Sequence, residues 1–466
     1  MCRSRFTGRV LRVPAVPIAL PLLTVVLAVP VCGPLDLEGA IAVATANADE
    51  VSIQRAEVLA AESDLAIAQA ARILPSASAT LVTGPVPEAR GNILESRQTN
   101  RSLTGLGPFV RIDADVVQPI YTWGRLDAAR DAAKAGVEAR KSQLTGKIAE
   151  LQVRVAQLFW GEAVARRLLA IASDVEKNLN DVSRKLEELL KKDDPSVKPA
   201  DRFRLEMYRA LLRTREADGR KALETAHSGL AATLGLGADQ VTLQEVGLPL
   251  DPGEVPDLAA ARDRAERQRP DLRALDQALA AREAEVHAAE AAMLPQVFVG
   301  GTFSYAYAPN RDVQLNPWID DTFNHLGVGV ALGIKQDLAF PLLLSQAAKA
   351  RAQRETLRRQ RAGLARLVTV QVEAAVADVV AAREHLAAST SALAAGRSWF
   401  RSEMLNFGVG VTEPRDVLEG YGAYVQSQVD QQQAAYDLAV ARVRLLQVTG
   451  VTPRQPAHDP CALSAR

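Results

Sequence analysis

The segment Phe109-Val-Arg-Ile-Asp-Ala-Asp-Val-Val-Gln-Pro-Ile-Tyr-Thr-Trp123 decides the fold. Its first half alternates strictly, with aliphatic residues on one side and Arg111, Asp113 and Asp115 on the other, which predicts a half-buried strand. After Gly124 the sequence becomes polar, rich in alanine and helical in its spacing up to about Asp194. A helix of that length would span about 100 Å, and an ordinary globular domain has no room for it.

The composition limits the class of protein. Of the 466 residues 48% are hydrophobic but only 5% are aromatic, which suits long helices with narrow packing stripes better than one thick core. The formal net charge is zero, so nothing predicts nucleic acid as a partner. The three cysteines lie near the two ends of the chain, and we expect neither a disulfide framework nor a cysteine-based metal site.

Residues 1–33 are typical of an export signal, because four arginines precede an apolar run from Val13 to Val31. A permanent membrane anchor is the alternative, but the prolines of this run would break a spanning helix. Cys32 could become a lipidated first residue of the mature chain, although Pro30 and Val31 replace the small residues expected before such a cysteine.

The rest of the chain contains two copies of one plan. Residues 34–236 and 257–451 each have the order helix, strand, loop, strand, long helix, turn and returning helix, offset by about 215 to 222 positions. Met293-Leu294-Pro295 precedes a strand in the second copy, as Ile73-Leu74-Pro75 does in the first. Residues 237–256 link the copies, and residues 452–466 form a C-terminal tail.

The pattern predicts the bounds of the main elements. Strands are expected at about 76–83 and 109–118 in the first copy, and at about 296–307 and 326–338 in the second. The stretches between the paired strands, 84–107 and 309–325, contain many turn-forming residues and are expected to be exposed loops. Tip turns are expected at about 191–201 and 407–416, where each long helix gives way to its returning helix.

The strands have the properties of a membrane-spanning sheet. Each is long enough to cross a bilayer when tilted and has one aliphatic side, and a bilayer accepts a sheet only as a closed barrel. Four strands are too few to enclose a lumen, whereas three copies would supply twelve. An interfacial girdle is predicted from aromatic residues that include Tyr121, Trp123 and Trp318. The alternative is two small soluble β-hairpins packed on coiled helices.

The duplicated order of elements resembles the TolC-like outer membrane efflux protein family over about residues 35–451. The motifs that carry the resemblance are Leu35-Asp-Leu-Glu-Gly-Ala40, Gln118-Pro-Ile-Tyr-Thr-Trp-Gly-Arg125 and Phe407-Gly-Val-Gly-Val-Thr-Glu-Pro-Arg-Asp-Val-Leu-Glu419. The resemblance implies a mostly α-helical homotrimer with transmembrane β structure, in which a 12-stranded barrel in the outer membrane of a Gram-negative bacterium continues into a helical periplasmic tunnel. It further implies a periplasmic adaptor and an inner-membrane pump as partners.

The resemblance also implies a periplasmic gate. The family carries acidic residues just after the second tip turn, and Asp416 and Glu419 match them, with Arg415 as a candidate for bonds between chains. Their spacing puts both carboxylates on one helical face, where a trimer would repeat them as a ring. The alternative is that they are solvated charges at a helix start. In the tip turn itself, Phe407 matches an aromatic family position, and we expect Gly408 and Gly410 to provide positive φ angles.

The sequence gives no support for catalysis. The five histidines are scattered, and no metal-binding, phosphate-binding or nucleophile motif occurs, so we expect no enzyme, no cofactor and no resident metal. The expected function is a passive exit duct of a tripartite efflux or type I secretion system, for small molecules or polypeptides. A metal-efflux duct and a soluble periplasmic coiled-coil adaptor are alternatives. The chain has only four methionines that could line a metal-efflux duct, which counts against that alternative. No lipoyl-like β domain is recognisable in the sequence, which counts against the adaptor.

Overall fold

A computed structural model describes residues 33–73, 76–91, 100–192, 197–244, 247–251, 253–314, 316, 318, 320–409 and 411–451. Residues 1–32 of the expected export signal, including Cys32, lie outside the described residues, as do Gly410 and the tail.

In the described residues, each copy of the repeat contains four helices and two strands. The first copy consists of α1 Leu37–Asn47, α2 Asp49–Ile73, β1 Ser76–Arg90, β2 Asn100–Tyr121, α3 Arg125–Lys191 and α4 Pro199–Leu234. A short 3-10 helix, Ala238–Gln240, follows. The second copy consists of α5 Leu258–Gln268, α6 Pro270–Ala291, β3 Gln296–Tyr307, β4 His325–Lys335, α7 Phe340–Gly408 and α8 Pro414–Val448.

The duplication extends to the conformation of single residues. The helix that precedes each hairpin is broken, at Ala48 (φ −62°, ψ 127°) and at Arg269 (φ −63°, ψ 123°), positions that are 221 apart. The returning helices α4 and α8 are each followed by a left-handed glycine, Gly235 and Gly450, positions that are 215 apart. A left-handed glycine lets the chain leave a helix while the last carbonyl groups remain bonded. Both offsets lie in the predicted range.

The first hairpin is longer than expected. β1 continues to Arg90 and β2 begins at Asn100, so most of the predicted loop 84–107 is strand. Pro85, which lies in the predicted loop, is directly opposite Pro108, and the register shifts only between Pro87 and Glu88. Proline has an extended backbone and needs no bonding partner for its nitrogen, so it fits such strand positions. β4 ends at Lys335, before the expected 338.

The four strands form one antiparallel sheet in the order β1-β2-β3-β4. Directly opposite residues share a face, and Asp113 lies opposite Thr80 on one side and Ser304 on the other. This polar face also carries Arg111, whose guanidinium bonds the Asp113 carboxylate at 2.7 Å. The other face is aliphatic in β2 and β4, as the alternation predicts.

The helices form a layer with α3 at its centre. Near the sheet, α2 packs on α3, α3 on α6 and α6 on α7, whereas near the tip turns α4 packs on α3, α3 on α8 and α8 on α7. The 67 residues of α3 span about 100 Å. The largest core cluster joins α1, α3 and α4 through Leu151, Phe159, Leu230 and Leu234. No helix in the described part of the chain is both long and apolar enough to cross a membrane.

Replacing Gly450 by alanine tests the packing at the end of α8. A Cβ there would lie 2.7 Å from the Gln268 carbonyl carbon and 2.8 Å from the Arg269 nitrogen, and the φ of 75° is unfavourable for alanine. We expect a cost of about 2 kcal/mol and an earlier loss of the helical circular dichroism signal on heating in detergent.

Gly422→Ala is the matched control, because no atom lies within 4 Å of a Cβ at this position of α8. Alanine favours the helix, so its melting temperature should be unchanged or higher. Equal melting temperatures for the two variants would contradict the packing described at Gly450.

Candidate functional site

α7 ends at Gly408 and α8 begins at Pro414, both within the expected tip turn at about 407–416, but Gly408 does not have the expected conformation. Gly408 is the last residue of α7, with a helical backbone, and Val409 caps the helix with a φ of −104°. The turn is closed by the Val411 N–H, which donates to the Asn406 carbonyl at 2.9 Å. Phe407 is half-buried. The helix therefore ends without a left-handed residue at position 408, and that expectation is wrong.

Asp416 lies in the first turn of α8, where its carboxylate accepts a hydrogen bond from the Glu413 backbone N–H at 3.3 Å. Pro414 occupies the first helical turn, where proline needs no bonding partner. A carboxylate at this position satisfies an otherwise unpaired backbone donor and interacts favourably with the helix dipole. Within one chain, Asp416 is therefore a capping residue.

Arg415 bonds within its own helix. Its Nε donates to Glu419 Oε1 at 2.8 Å, which raises the pKa of the guanidinium above its ordinary value. Both side chains are about half exposed, and an exposed pair of this kind contributes little to stability. Such a pair can be exchanged at low cost for a partner on another chain.

Two polar contacts that the sequence analysis missed connect the first tip to the second. Asn178 of α3 donates from Nδ2 to the Tyr421 hydroxyl of α8 at 2.7 Å. Lys198 at the start of α4 lies 3.6 Å from the Glu413 carboxylate. We call these contacts the tip latch. Nothing in the spacing of Asn178 singles it out, because its partner lies 243 positions away.

The aromatic surroundings fix the Tyr421 ring of the tip latch. Its ring centroid lies 5.0 Å from that of Phe400, which in turn stacks on Tyr424 at 6.0 Å. Burial raises the pKa of Tyr421, and the hydrogen bond from Asn178 lowers it by less. Gly420 allows α8 to approach α7 closely, because a Cβ there would lie 3.4 Å from the Phe400 Cα. The tyrosine is thus a rigid, neutral acceptor for Asn178.

At the base of the sheet, Tyr121 and Trp123 lie at the junction of β2 and α3. Their rings meet edge to face at 4.9 Å, and the Trp123 indole N–H donates to the Pro295 carbonyl at 2.7 Å. Trp123 has a φ of 54°, rare for a non-glycine residue. Both side chains are about half exposed, and the indole also joins the first copy to the second. Trp318 lies instead within the loop between β3 and β4, 92% exposed.

The part of the chain that carries the second tip matches a known family. Residues 261–451 match the model described as outer membrane efflux protein. No curated protein sequence matches the chain.

The fold of the chain is similar to solved outer membrane channels. VceC of Vibrio cholerae has a TM-score of 0.69 and 15% identity, with 89% of this chain and 96% of that chain covered. The open state of MtrE of Neisseria gonorrhoeae has a TM-score of 0.70 and 16% identity, covering 90% and 91%. CmeC of Campylobacter jejuni has a TM-score of 0.68 and 13% identity, covering 92% and 88%.

These findings define the class of protein first: a mostly helical chain with a small antiparallel sheet and the fold of outer membrane channels. Together with the family match, they confirm the resemblance to the TolC-like outer membrane efflux proteins. They also support the expected location in the outer membrane and the expected role in efflux.

Tyr421→Phe tests the tip latch. The substitution keeps the ring against Phe400 but removes the oxygen that accepts from Asn178, so the two hairpins should separate more easily. We expect a higher open probability in planar bilayers than for the unmodified chain. Tyr436→Phe is the control, because it removes a hydroxyl about four turns further along α8, away from the tip. Equal open probabilities for the two variants would contradict a role for the latch.

Proposed function

We propose that three copies of the chain form a channel that crosses the outer membrane and continues as a helical tunnel through the periplasm. The observation that carries the proposal is the aliphatic face of β4, where five alternate side chains are 68% to 78% exposed: Leu326, Val328, Val330, Leu332 and Ile334. Removing one such side chain from water is worth about 1.5 to 3 kcal/mol. This face therefore favours contact with lipid.

The sheet has two free edges, and these favour closure by other copies. β1 and β4 are each paired with a named strand along one edge only, and on the other edge of β1 the described residues add one backbone bridge, between Ala89 and Arg311 of the β3–β4 loop. A bilayer cannot satisfy the unpaired backbone groups of the free edges. When β4 of one copy pairs with β1 of the next, three copies supply twelve strands and close the barrel, whereas the four strands of one copy cannot.

The helical layer also has two free edges. Near the sheet the helices pack in the order α2, α3, α6 and α7, so α2 and α7 each lack a neighbour on one side within the described chain. The outward side of α2 carries exposed small and aliphatic residues at alternating spacings of three and four: Ile53, Ala56, Ala60, Ser63, Ile67 and Ala70. This is the pattern of a coiled-coil seam. Since α7 ends the row that α2 begins, we propose that α2 packs on α7 of the neighbouring copy, which gives a ring of twelve helices.

The remaining features of the proposed duct follow from this assembly. Transport through the duct is passive in this proposal, since the sequence carries no phosphate-binding or catalytic motif through which the chain itself could supply energy. An inner-membrane pump supplies the energy, and a periplasmic adaptor connects the pump to the helical tips. The polar face of the sheet, with Arg111 and Asp113, lines the aqueous lumen of the barrel.

Reconstitution of the purified mature chain into planar lipid bilayers tests the proposal. A trimeric duct should give discrete single-channel steps. A soluble coiled-coil adaptor, which is the competing function, should give none and should leave the bilayer resistance unchanged. The absence of steps from correctly folded, detergent-purified protein would overturn the proposed function.

A double substitution tests the proposed ring of Asp416 and Glu419. Asp416→Ala with Glu419→Ala should raise the single-channel conductance, because the charges and the bonds that tighten the entrance are lost. Asp416→Asn with Glu419→Gln separates the ring from the cap, since asparagine still accepts the hydrogen bond from Glu413.

If the two residues act as a ring, both double variants should raise the conductance. An Asn and Gln variant with the conductance of the unmodified chain would show that the two acids serve only the helix start. Asp430→Ala with Asp437→Ala, which removes two carboxylates further along α8, is the matched control and should leave the conductance unchanged.

A further inference from the structure

The described residues at the two ends of the loop between β3 and β4, 308–314 and 320–324, fold back onto the first hairpin. We call this loop the outer loop, since it lies at the end of the sheet opposite the long helices. The Asn310 side-chain amide donates to the Val86 carbonyl at 3.0 Å, and Arg311 Nη1 donates to the Pro87 carbonyl at 2.9 Å. The Asp312 N–H donates to the Ala89 carbonyl at 3.1 Å. The outer loop thus runs alongside the end of β1.

To reach β1 the outer loop has to cross β2, because β2 separates β1 from β3 in the sheet. Two contacts show which face it crosses. A Cβ at Gly107 would collide with the Asn310 side chain, and the Phe109 ring meets Phe323 of the loop edge to face at 5.5 Å. Alternation puts both β2 residues on the same face as Asp113. The outer loop therefore lies across the polar face.

The outer loop is held together by its own contacts. The Asp321 carboxylate accepts from the backbone N–H groups of Gln314, Phe323 and Asn324 at 3.0 to 3.1 Å. Burial raises the pKa of Asp321, but these three bonds together lower it below its ordinary value. The Asn324 side chain bonds both the Ala308 N–H and the Arg311 carbonyl. A segment bonded in this way moves as one unit.

One cluster fastens this unit to the sheet. The Arg311 guanidinium lies 3.8 Å from the centre of the Phe323 ring, whose edge contacts Phe109 of β2. Arg311 also bonds the Pro87 carbonyl of β1. At the rim, Asp312 accepts from the Gly91 N–H at 2.8 Å and from Arg90 at 3.2 Å. The cation and its aromatic partner therefore connect the outer loop to both strands of the first hairpin.

From this arrangement we infer that the outer loop is a lid over the outer mouth of the channel, fastened by Arg311 and Phe323. The inference rests on the proposed function, in which the polar face lines the lumen. Three copies bring three lids over one mouth, and a bulky solute passes only when the lids swing out as units. The separation of Arg311 and Phe323 from β1 and β2 is the step that opens the mouth.

Arg311→Ala combined with Phe323→Ala removes the fastening and leaves the Asp321 bonds in place. The recordings use a chain that also carries Asp416→Ala and Glu419→Ala, so that the tip constriction does not limit the current. In that chain the lid predicts that removing the fastening raises the single-channel conductance. Val313→Ala, on the same loop but outside the fastening cluster, is the matched control and should conduct like the chain with the two tip substitutions alone. A detergent-stable trimer confirms that each variant is assembled.

A disulfide tests the position of the lid without loosening it. Gly107→Cys with Asn310→Cys, in a chain that also carries Cys461→Ser, places two thiols within disulfide reach across the lumen face. When these substitutions are added to the Arg311 and Phe323 double variant, the oxidised protein should return to the low conductance. A reductant should then restore the high conductance.

The outcomes separate the lid from the proposed function. An unmodified chain that gives no channel steps would overturn both. A chain that conducts, but whose conductance is the same with the fastening removed and with the disulfide formed or reduced, would overturn the lid alone.

Discussion

The structure depends on backbone groups that one chain cannot pair. Apart from the bridge between Ala89 and Arg311, the free edges of β1 and β4 present rows of N–H and C=O groups, and the outward side chains of β4 are aliphatic. Water would satisfy the backbone groups but not the side chains, and lipid would satisfy the side chains but not the backbone groups. Pairing between copies within a bilayer satisfies both. In the assembly that we propose, pairing between chains is therefore a condition of folding for the sheet, and the pore is its consequence.

The helices of the two copies of the repeat form one layer because α3 packs against helices of both copies. Along its 67 residues α3 contacts α2 and α6 near the sheet and α4 and α8 near the tips. It therefore fixes the position of the four helices near the sheet relative to the four near the tips. In the tunnel that we propose, different contacts close the two ends. The tip latch joins the two copies of the repeat within one chain through exposed polar bonds that are easily broken. The outer loop is held by the Arg311 guanidinium, which lies over the Phe323 ring.

The sequence predicts what repeats along the chain and misses what depends on distant pairs. The alternation around Asp113 and the 215 to 222 offset predict the strands and the tandem repeat, and the duplicated order of elements with its motifs carries the resemblance to the family. The turn-forming residues in 84–107, Pro85 among them, suggested a loop, because the local sequence does not show that Pro85 lies opposite Pro108 in a hairpin. Asn178 and Tyr421 carry no local signal, since each matters only through the other. Gly408 was expected to lie in the turn with a left-handed backbone, but it is the last residue of α7 and has a helical backbone.

The mass of the detergent-solubilised particle, measured by sedimentation with the bound detergent subtracted, tests the central claim most directly. Strands that cannot complete their pairing alone should bring the mature chain into a particle of three protomers that survives dilution. A single protomer that stays folded in water, with the aliphatic face of β4 exposed and no partner at either edge, would contradict the account.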